Sequence, residues 1–216
     1  MKKIVIIGAG GFGREVQWLI ERINAQEMTW EIQGYIDDGL EVGTQINGYS
    51  VLGGIDTLVS RKEEISVVCA IGSAKTRKKI IEKLSYNNNL KYPNLIDTNV
   101  QMSKYVELGK GNIICSGTIL TVNIVVGDFS ILNLGCTVGH DAVINSFVTV
   151  YPGVNISGCV TIGENVEVGT GTQIIQGKSI CSNAIVGAGA VVVDNIDRSG
   201  TYVGVPAKCL KREGNR

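Results

Sequence analysis

The chain has 216 residues, which is enough for one large domain or two small ones. Lysine plus arginine and aspartate plus glutamate each number 20, so the formal net charge is zero, and the usual electrostatic reason to expect a nucleic acid or an anionic membrane as partner is absent. The sequence contains neither a charged-then-apolar leader nor a run of 18 apolar residues, and we therefore expect a cytoplasmic protein.

The first part of the chain alternates short apolar runs with helical patterns. Apolar runs predict strands at residues 3–7, 32–36 and 67–71, and apolar residues at helical spacing predict helices at 14–23 and 75–84. Strands that alternate with helices form a parallel sheet from βαβ units. The sequence therefore predicts an α/β domain that ends near residue 94.

A glycine-rich turn connects the first predicted strand and helix. The segment Gly8 to Gly13 has the pattern G-x-G-x-x-G, which lets backbone N–H groups approach a phosphate at a helix N-terminus. Asp37 and Asp38 end the next strand, where a carboxylate can reach a ribose hydroxyl. A site for NAD needs two mononucleotide-binding halves, and the α/β pattern covers only about 95 residues, which is too few for both. A nucleotide-linked substrate is therefore favoured over NAD. A tight turn without any ligand is the alternative.

After residue 94 the pattern becomes hexameric. Neither an α-helix nor an alternating strand has a period of six, whereas a fixed hexapeptide repeat is typical of a parallel β-helix. Three hexads make one triangular coil, so we expect about five coils around a dry aliphatic core, with the first domain capping one end and residues 195–216 folding over the other. Sixteen aliphatic residues occur at every sixth position without a miss: Met102, Leu108, Ile114, Leu120, Val126, Leu132, Val138, Ile144, Val150, Ile156, Ile162, Val168, Ile174, Ile180, Val186 and Val192.

The six cysteines contain no C-x-x-C pair, so we expect reduced packing residues and no metal site. Cys136 in particular occupies a slot that points into the coil. A zinc site of three histidines, as in β-helical carbonic anhydrases, is excluded because the chain has one histidine. Four cationic residues are weak candidates for the phosphates of a large anionic cofactor: Lys178, Lys208, Lys211 and Arg212.

His140 is the single histidine, and it lies in a hexad slot that points away from the core, followed directly by Asp141. A neutral imidazole can take a proton from an attacking amine or hydroxyl near pH 7, and a neighbouring carboxylate can fix its tautomer. From the residues alone, an ordinary surface histidine is the alternative. A covalent route through cysteine is disfavoured because none of the six cysteines adjoins His140 in the sequence.

Five segments carry a resemblance to a known family: IVIIGAGGFGREV at 4–16, GYIDD at 34–38, AIGSAKTRKKI at 70–80, ILNLGCTVGHDAVI at 131–144 and YVGVPAK at 202–208. The sequence resembles sugar O-acyltransferases of the sialic acid O-acetyltransferase (NeuD) family, which includes nucleotide-amino-sugar N-acetyltransferases similar to PglD. The resemblance covers nearly the whole chain. It implies a Rossmann-like nucleotide-sugar-binding domain over residues 1–94, a left-handed β-helix acyltransferase domain with a C-terminal tail over residues 95–216, and a homotrimer that binds acetyl-CoA between adjacent β-helices.

The resemblance also implies roles for particular residues. His140 corresponds to the general base and Asp141 to its supporting carboxylate. Seven residues match positions that contact the nucleotide-sugar or its acceptor group in the family: Gly10, Gly11, Phe12, Asp37, Asp38, Gly72 and Asn133. Acetyl-CoA contacts correspond to Thr149, Gly158, Thr170 and Ala188, with the backbone N–H of Gly158 facing the thioester. No metal is implied.

Two positions depart from the family pattern. Relatives commonly have a histidine in the first glycine turn, where this chain has Phe12, and PglD-like members have a second histidine at the cofactor site, where this chain has Thr149. Neither replacement can act as a base, although the threonine hydroxyl can donate a hydrogen bond.

The function that these features favour is acetyl-CoA-dependent N-acetylation of a UDP- or dTDP-linked 4-amino-4,6-dideoxy sugar, in surface polysaccharide or glycan biosynthesis. The acetyl group would pass directly to the amine, with His140 as general base. O-acetylation of a sugar, as in the sialic acid enzymes, is the alternative within the family. An NAD-dependent sugar dehydrogenase and a non-catalytic scaffold are the alternatives of other classes.

Overall fold

The computed structural model describes residues 1–210, which form an α/β domain followed by a left-handed parallel β-helix. The predicted fold class is therefore confirmed. None of the three helices in this part of the chain combines the length and the apolar character that a membrane crossing requires.

The N-terminal domain is a six-stranded sheet flanked by helices. Its strands lie in the order β3-β4-β2-β1-β5-β6, all parallel except β3, which runs antiparallel to β4. The central strand has Ile4 to Ile7 fully buried, because helices cover both faces of a parallel sheet. The elements are β1 (Lys2–Ile7), α1 (Gly11–Gln26), β2 (Trp30–Ile36), β3 (Gln45–Ile46), β4 (Tyr49–Gly53), α2 (Asp56–Val59), β5 (Ile65–Cys69), α3 (Ala74–Leu84) and β6 (Leu90–Lys91).

The β-helix consists of short strands on three faces. Face I contains β7 (Leu95–Ile96), β10 (Ile113–Ile114), β13 (Ile131–Leu132), β16 (Thr149–Val150), β19 (Glu167–Val168), β22 (Ile185–Val186) and β24 (Thr201–Val203), with β25 (Lys208–Cys209) antiparallel at its edge. Face II contains β8 (Gln101–Met102), β11 (Ile119–Leu120), β14 (Thr137–Val138), β17 (Asn155–Ile156), β20 (Gln173–Ile174) and β23 (Val191–Val192). Face III contains β9 (Glu107–Leu108), β12 (Val125–Val126), β15 (Val143–Ile144), β18 (Thr161–Ile162) and β21 (Ser179–Ile180).

Each strand pairs in parallel with the strand eighteen residues further on, as Ile114 does with Leu132. Fourteen of the sixteen periodic aliphatic side chains are at most 2% exposed and stack into one core, as the repeat predicts. Met102 is the clear exception at 40% exposure, because its strand β8 is the edge strand of face II and no coil lies beyond it.

The first domain does not cap an end of the β-helix, contrary to the expectation above. It packs against the side formed by face I, where Leu95, Ile113 and Ile131 share a buried cluster with Val16 of α1 and other residues of the first domain. Ile113 and Ile131 point outward from the coil, so only a covering layer removes them from water.

The C-terminal segment does close the other end, as far as residue 210. Ile196 pairs with Ile180 and Tyr202 with Val186, so the spacing falls from eighteen residues to sixteen. Tyr202 and Ala207 pack against the coil core. Residues 211–216, including the candidates Lys211 and Arg212, lie outside the described residues.

Candidate active site

His140 lies on the turn that joins face II to face III, which we call corner II/III. Asp141, the next residue, stacks on the equivalent residues of the two neighbouring coils, Asn123 and Cys159, at intervals of eighteen residues. All three have positive φ angles, 55°, 59° and 57°, because this turn requires a left-handed residue at that position. The side chains of one column therefore lie directly above one another.

The imidazole of His140 is held by Asp141. The Nδ1 atom lies 2.8 Å from Oδ2 of Asp141, and both side chains are half-exposed. Asn123 Nδ2 donates to the other carboxylate oxygen at 3.1 Å. These hydrogen bonds hold the pKa of Asp141 below its usual value, and the bond from His140 has the larger effect. Because an ionised carboxylate only accepts, Nδ1 carries the proton and Nε2 has the free lone pair of a general base.

Gly158 forms the floor beneath the His140 ring. A Cβ atom built on Gly158 would lie 2.5 Å from Nε2 and 2.6 Å from Cε1 of His140, so only glycine leaves room for the ring in this position. The next residue donates its backbone N–H to the carbonyl of His140 at 2.8 Å. The coil above therefore fixes both the backbone and the ring of the histidine.

Cys159 is the residue at this corner that sequence reasoning missed. Its Sγ, a ring nitrogen of His140 and a carboxylate oxygen of Asp141 lie within 4.8 Å of one another, the single such group among residues 1–210. Judging the cysteines by sequence adjacency failed because the coil brings residues eighteen apart together; adding eighteen to Asp141 gives Cys159.

The expectation of packing cysteines holds for four of the six, including the partly buried Cys181, which packs against the coil core. Cys69, Cys115 and Cys136 are buried, and burial raises the pKa of the first two thiols to about 12 and that of Cys136 to about 11. Cys136 lies in the coil core as predicted. Cys159 and Cys209 are instead exposed.

Asn133, one of the substrate candidates, lies along a different edge, corner I/II, where face I turns into face II. Asp97, Cys115, Asn133 and Tyr151 stack there at intervals of eighteen. Helix α1 lies along this edge, because Arg22 donates to both carboxylate oxygens of Asp97 at 2.7 and 3.1 Å. The buried Asn133 accepts the backbone N–H of the next residue on Oδ1 at 2.7 Å.

The glycine turn at the start of α1 has one position closed to side chains and one open. A Cβ atom on Gly13 would lie 1.9 Å from the carbonyl oxygen of Gly8, so this glycine is needed for packing. A Cβ atom on the exposed Gly10 would meet nothing within 4 Å, and Gly11 is also exposed. Phe12 is partly buried against the apolar cluster of the domain. The turn therefore presents backbone, not side chains, to any ligand.

The two aspartates after β2 already hold backbone groups. Asp37 accepts the N–H of Ala9 on Oδ2 at 2.8 Å and that of Gly39 on Oδ1 at 2.9 Å. Asp38 accepts the N–H of Ile55 on Oδ1 at 2.7 Å. Asp37 therefore braces the glycine turn, whether or not it also contacts a ribose.

Thr149 lies in the domain interface. It is 1% exposed, and its hydroxyl donates to the Gly72 carbonyl at 2.6 Å and accepts from Arg77 Nη2 at 2.9 Å. The first domain occupies the face from which the Thr149 side chain projects, so these contacts lend no support to the expected acetyl-CoA contact, which stays a prediction.

Arg77 is the centre of this interface. It is 1% exposed, and besides Thr149 it donates to the carbonyls of Ile71 at 2.6 Å, Gly72 at 3.2 Å, Phe129 at 2.8 Å and Val148 at 3.1 Å. Burial lowers the pKa of its guanidinium to about 10, which leaves it charged at neutral pH. Arg77 thus ties Gly72 of the first domain to the third and fourth coils.

Glu167 completes the interface on the next coil. Its carboxylate accepts the N–H of Ala74, at the start of α3, at 2.9 Å and the Tyr151 hydroxyl at 3.2 Å. A carboxylate at a helix N-terminus is a favourable pairing. The loop that contains Gly72 is therefore held on both sides by residues of the β-helix.

Comparison with known proteins gives consistent matches over nearly the whole chain. The family model described as the PglD N-terminal domain matches residues 3–84. WeeI from Acinetobacter baumannii is 34% identical with a TM-score of 0.87, covering 97% of this chain and 100% of its own. The acetyltransferase domain of PglB from Neisseria gonorrhoeae, in complex with acetyl coenzyme A, is 32% identical with a TM-score of 0.86, covering 97% and 99%.

A perosamine N-acetyltransferase from Caulobacter crescentus, in complex with CoA and GDP-perosamine, is 28% identical with a TM-score of 0.86 and covers 98% of both chains. These matches extend over both domains. The chain belongs to the PglD-type nucleotide-amino-sugar acetyltransferases. It is therefore an enzyme that transfers acyl groups.

The site candidates of this acetyltransferase fall on two corners of one protomer. His140, Asp141 and Gly158 lie at corner II/III, whereas Thr170 and Ala188 are exposed on successive coils at corner I/II. Gly189 N donates to the Thr170 carbonyl at 2.8 Å, which fixes that stack. A full side of the prism, face II, separates the two groups of residues.

Proposed function

We propose that the enzyme transfers the acetyl group of acetyl-CoA directly to the amino group of a nucleotide-linked amino sugar, with His140 as general base. The observation that carries this proposal is the Nδ1–Oδ2 hydrogen bond of 2.8 Å between His140 and Asp141 on an exposed corner, which leaves Nε2 free to accept a proton. Solved relatives with acetyl coenzyme A, CoA and GDP-perosamine support the donor and the class of acceptor.

In the proposed reaction, the neutral sugar amine attacks the thioester carbonyl while Nε2 of His140 takes its proton. Asp141 stabilises the imidazolium that forms, and the proton then passes to the departing CoA thiolate. The backbone N–H of Gly158 is the proposed donor to the oxyanion, an interaction often worth about 3–4 kcal/mol. Proton abstraction by a positioned base adds about 10²–10⁴ in rate.

The two-corner arrangement supports a homotrimer in which adjacent protomers share one site. Asn133 lies at corner I/II, across face II from His140, and Gly72 lies beside it against Thr149 and Tyr151. A threefold ring brings corner I/II of one protomer to corner II/III of the next. In that assembly the first domain of one subunit presents the nucleotide-sugar to His140 of its neighbour, and acetyl-CoA lies between the coils against Gly158, Thr170 and Ala188.

A UDP- or dTDP-linked 4-amino-4,6-dideoxy sugar is the proposed acceptor. Exposed backbone at Gly10 and Gly11, at the N-terminus of α1, suits a diphosphate. The loop that contains Gly72 begins beside this turn, since Ile71 lies against Gly8. A dehydrogenase has less support, since the first domain provides a single nucleotide-binding half before the β-helix begins at Leu95.

The direct test is incubation with acetyl-CoA and a panel of nucleotide sugars, with thiol release and product mass as readouts. The panel contains UDP- and dTDP-linked 4-amino sugars, GDP-perosamine and free sialic acid. We expect acetylation of a nucleotide-linked amine, blocked in His140→Ala. Acetylation of sialic acid hydroxyls alone would establish the O-acetyltransferase alternative, and no product with any acceptor would favour a scaffold.

A second experiment tests the shared site. Protomers that carry His140→Ala and protomers that carry Gly10→Leu are co-expressed with different tags, and the mixed assemblies are isolated through both tags. The rate is measured at a nucleotide-sugar concentration far below the KM, where a site with Gly10→Leu contributes little. Each mixed trimer has one intact site of three, so we expect about a third of the wild-type rate. No recovery over the two homotrimers would place the whole site within one protomer.

A further inference from the structure

Three metal-binding side chains meet at corner II/III. A ring nitrogen of His140, a carboxylate oxygen of Asp141 and the Sγ of Cys159 lie within 4.8 Å of one another, and all three residues are exposed. Imidazole, thiolate and carboxylate are the ligand types that bind zinc in proteins. Cys159 takes no step in the proposed acetyl transfer, so neither the base nor its carboxylate accounts for a thiol at this position.

We propose that this cluster is an inhibitory binding site for Zn²⁺. His140, Asp141 and Cys159 supply three ligands of a tetrahedral ion, and a water molecule supplies the fourth. An ion on Nε2 of His140 takes the lone pair that proton transfer requires, and an ion on Nδ1 moves the ring proton to Nε2, so in either case a bound ion stops the reaction. Only this effect on activity rests on the proposed function, because the binding itself does not depend on which sugar is acetylated.

The positions of the three groups are close to those that a zinc ion requires. Metal–ligand distances of about 2.0–2.3 Å put neighbouring ligand atoms about 3.3–3.7 Å apart in a tetrahedral site. All three ligand atoms lie within 4.8 Å of one another, so no pair needs to close by more than about an ångström, and the 2.8 Å pair of Nδ1 and Oδ2 has to open by about half an ångström. Rotation of the half-exposed His140 and Asp141 side chains provides such shifts. The parallel register between β14 and β17 keeps the turns that carry Asp141 and Cys159 adjacent.

The ligand chemistry also predicts selectivity. A thiolate and an imidazole favour Zn²⁺ and Co²⁺, whereas Mg²⁺ prefers an all-oxygen shell. The fold offers a matched control, since Cys209 is likewise exposed but lies on β25, on face I at the closed end of the coil. Replacing Cys209 removes an exposed thiol without touching the cluster.

The first test is Co²⁺ titration of the full-length, metal-free, reduced protein, followed by optical absorption. We expect a thiolate-to-cobalt charge-transfer band in the wild type and in Cys209→Ser, displaced by Zn²⁺ but not by Mg²⁺, and no such band in Cys159→Ser. A wild type without the band, or a Cys159→Ser variant that keeps it, would overturn the metal site. This readout needs no substrate, so it remains decisive even if no sugar acceptor is found.

The second test measures zinc inhibition of acetyl transfer by product mass, each variant relative to its own zinc-free rate. We expect reversible inhibition of the wild type that EDTA relieves, an inhibition constant raised about tenfold or more in Cys159→Ser, and no change in Cys209→Ser. Equal inhibition of the wild type and Cys159→Ser would contradict an inhibitory role for the cluster.

Discussion

The His140 ring rests on Gly158 so closely that a single methyl group on the glycine would lie 2.5 Å from Nε2. The proposed general base is therefore positioned by the coil that follows it as well as by Asp141 beside it.

Gly158→Ala displaces the imidazole without breaking the coil. Gly158 is not among the glycines with positive φ, and the methyl group meets the end of a movable side chain, so we expect a change in unfolding free energy of less than about 1 kcal/mol. Because a misplacement of about 1 Å can cost about 10²-fold in rate, kcat should fall by that factor. In the His140→Ala background the same change should have no further effect, and an additive loss would mean that Gly158 acts independently of the ring.

Asp141→Asn tests the tautomer of the base. An amide that donates to Nδ1 moves the imidazole proton to Nε2, which then has no lone pair for the acceptor. We expect kcat to fall by about 10²–10⁴ while circular dichroism stays unchanged. Asn123→Ala, which removes only the second hydrogen bond to Asp141, is the milder control, and a larger loss in that variant than in Asp141→Asn would contradict the assignment.

The glycine turn offers a matched pair of substitutions. Gly10 is exposed, no atom lies within 4 Å of a Cβ built on it, and its φ of −74° is open to any residue, so we expect Gly10→Leu to fold while its side chain covers the backbone proposed to face the diphosphate. We expect the KM for the nucleotide-sugar to rise about tenfold or more with the fold intact. Gly13→Ala should instead yield unfolded protein, because of the 1.9 Å approach to Gly8. Unchanged kinetics in Gly10→Leu would remove the turn from the substrate site.

Substitution of Arg77 tests how the two domains are joined. Arg77→Met leaves four carbonyl oxygens and the Thr149 hydroxyl without their buried donor, so we expect a loss of about 3–5 kcal/mol in unfolding free energy by urea titration. Thr149→Val removes one hydroxyl and should cost about 1–2 kcal/mol. Equal stability of Arg77→Met and the wild type would mean that the interface does not depend on this residue.

The Arg22–Asp97 ion pair should make the free energy of unfolding depend on pH in the acid range. Burial raises the pKa of Asp97, but hydrogen bonds from Arg22, the Asn99 N–H and Ser116 outweigh it, so the net pKa lies below 3.8. Its contribution is complete above the unfolded pKa and is lost as pH falls through the lower folded value. Between pH 5 and pH 3 we expect the unfolding free energy of the wild type to fall more steeply than that of Asp97→Asn, and parallel curves would contradict this.

The sequence allowed the β-helix to be predicted because its core slot repeats every six residues without a miss. The side contact of the first domain also has a signal in the sequence. The outward residues of face I begin with three aliphatic residues in successive coils, Leu95, Ile113 and Ile131, whereas those of face II include both polar and aliphatic residues, as in Gln101, Ile119 and Thr137. Aliphatic residues that face outward on one side of a coil indicate that something covers them.

Two other features had no local pattern to reveal them. Arg77 and Thr149 are 72 residues apart, and nothing near either residue indicates that they meet. The proximity of Cys159 to His140 follows only when the eighteen-residue coil is laid over the sequence, since the residues are nineteen apart and unremarkable as a pair. A repeat therefore predicts its own core far better than the contacts that it makes outward.

The role of His140 as general base is tested most directly by the steady-state kinetics of His140→Ala with acetyl-CoA and the acceptor that the panel identifies. Acetyl-CoA binding to the same variant is measured by calorimetry. We expect kcat to fall by about 10²–10⁴ with a donor Kd within about twofold of the wild type, because the ring removes a proton and does not hold the donor. Turnover of His140→Ala at the wild-type rate would show that the base lies elsewhere.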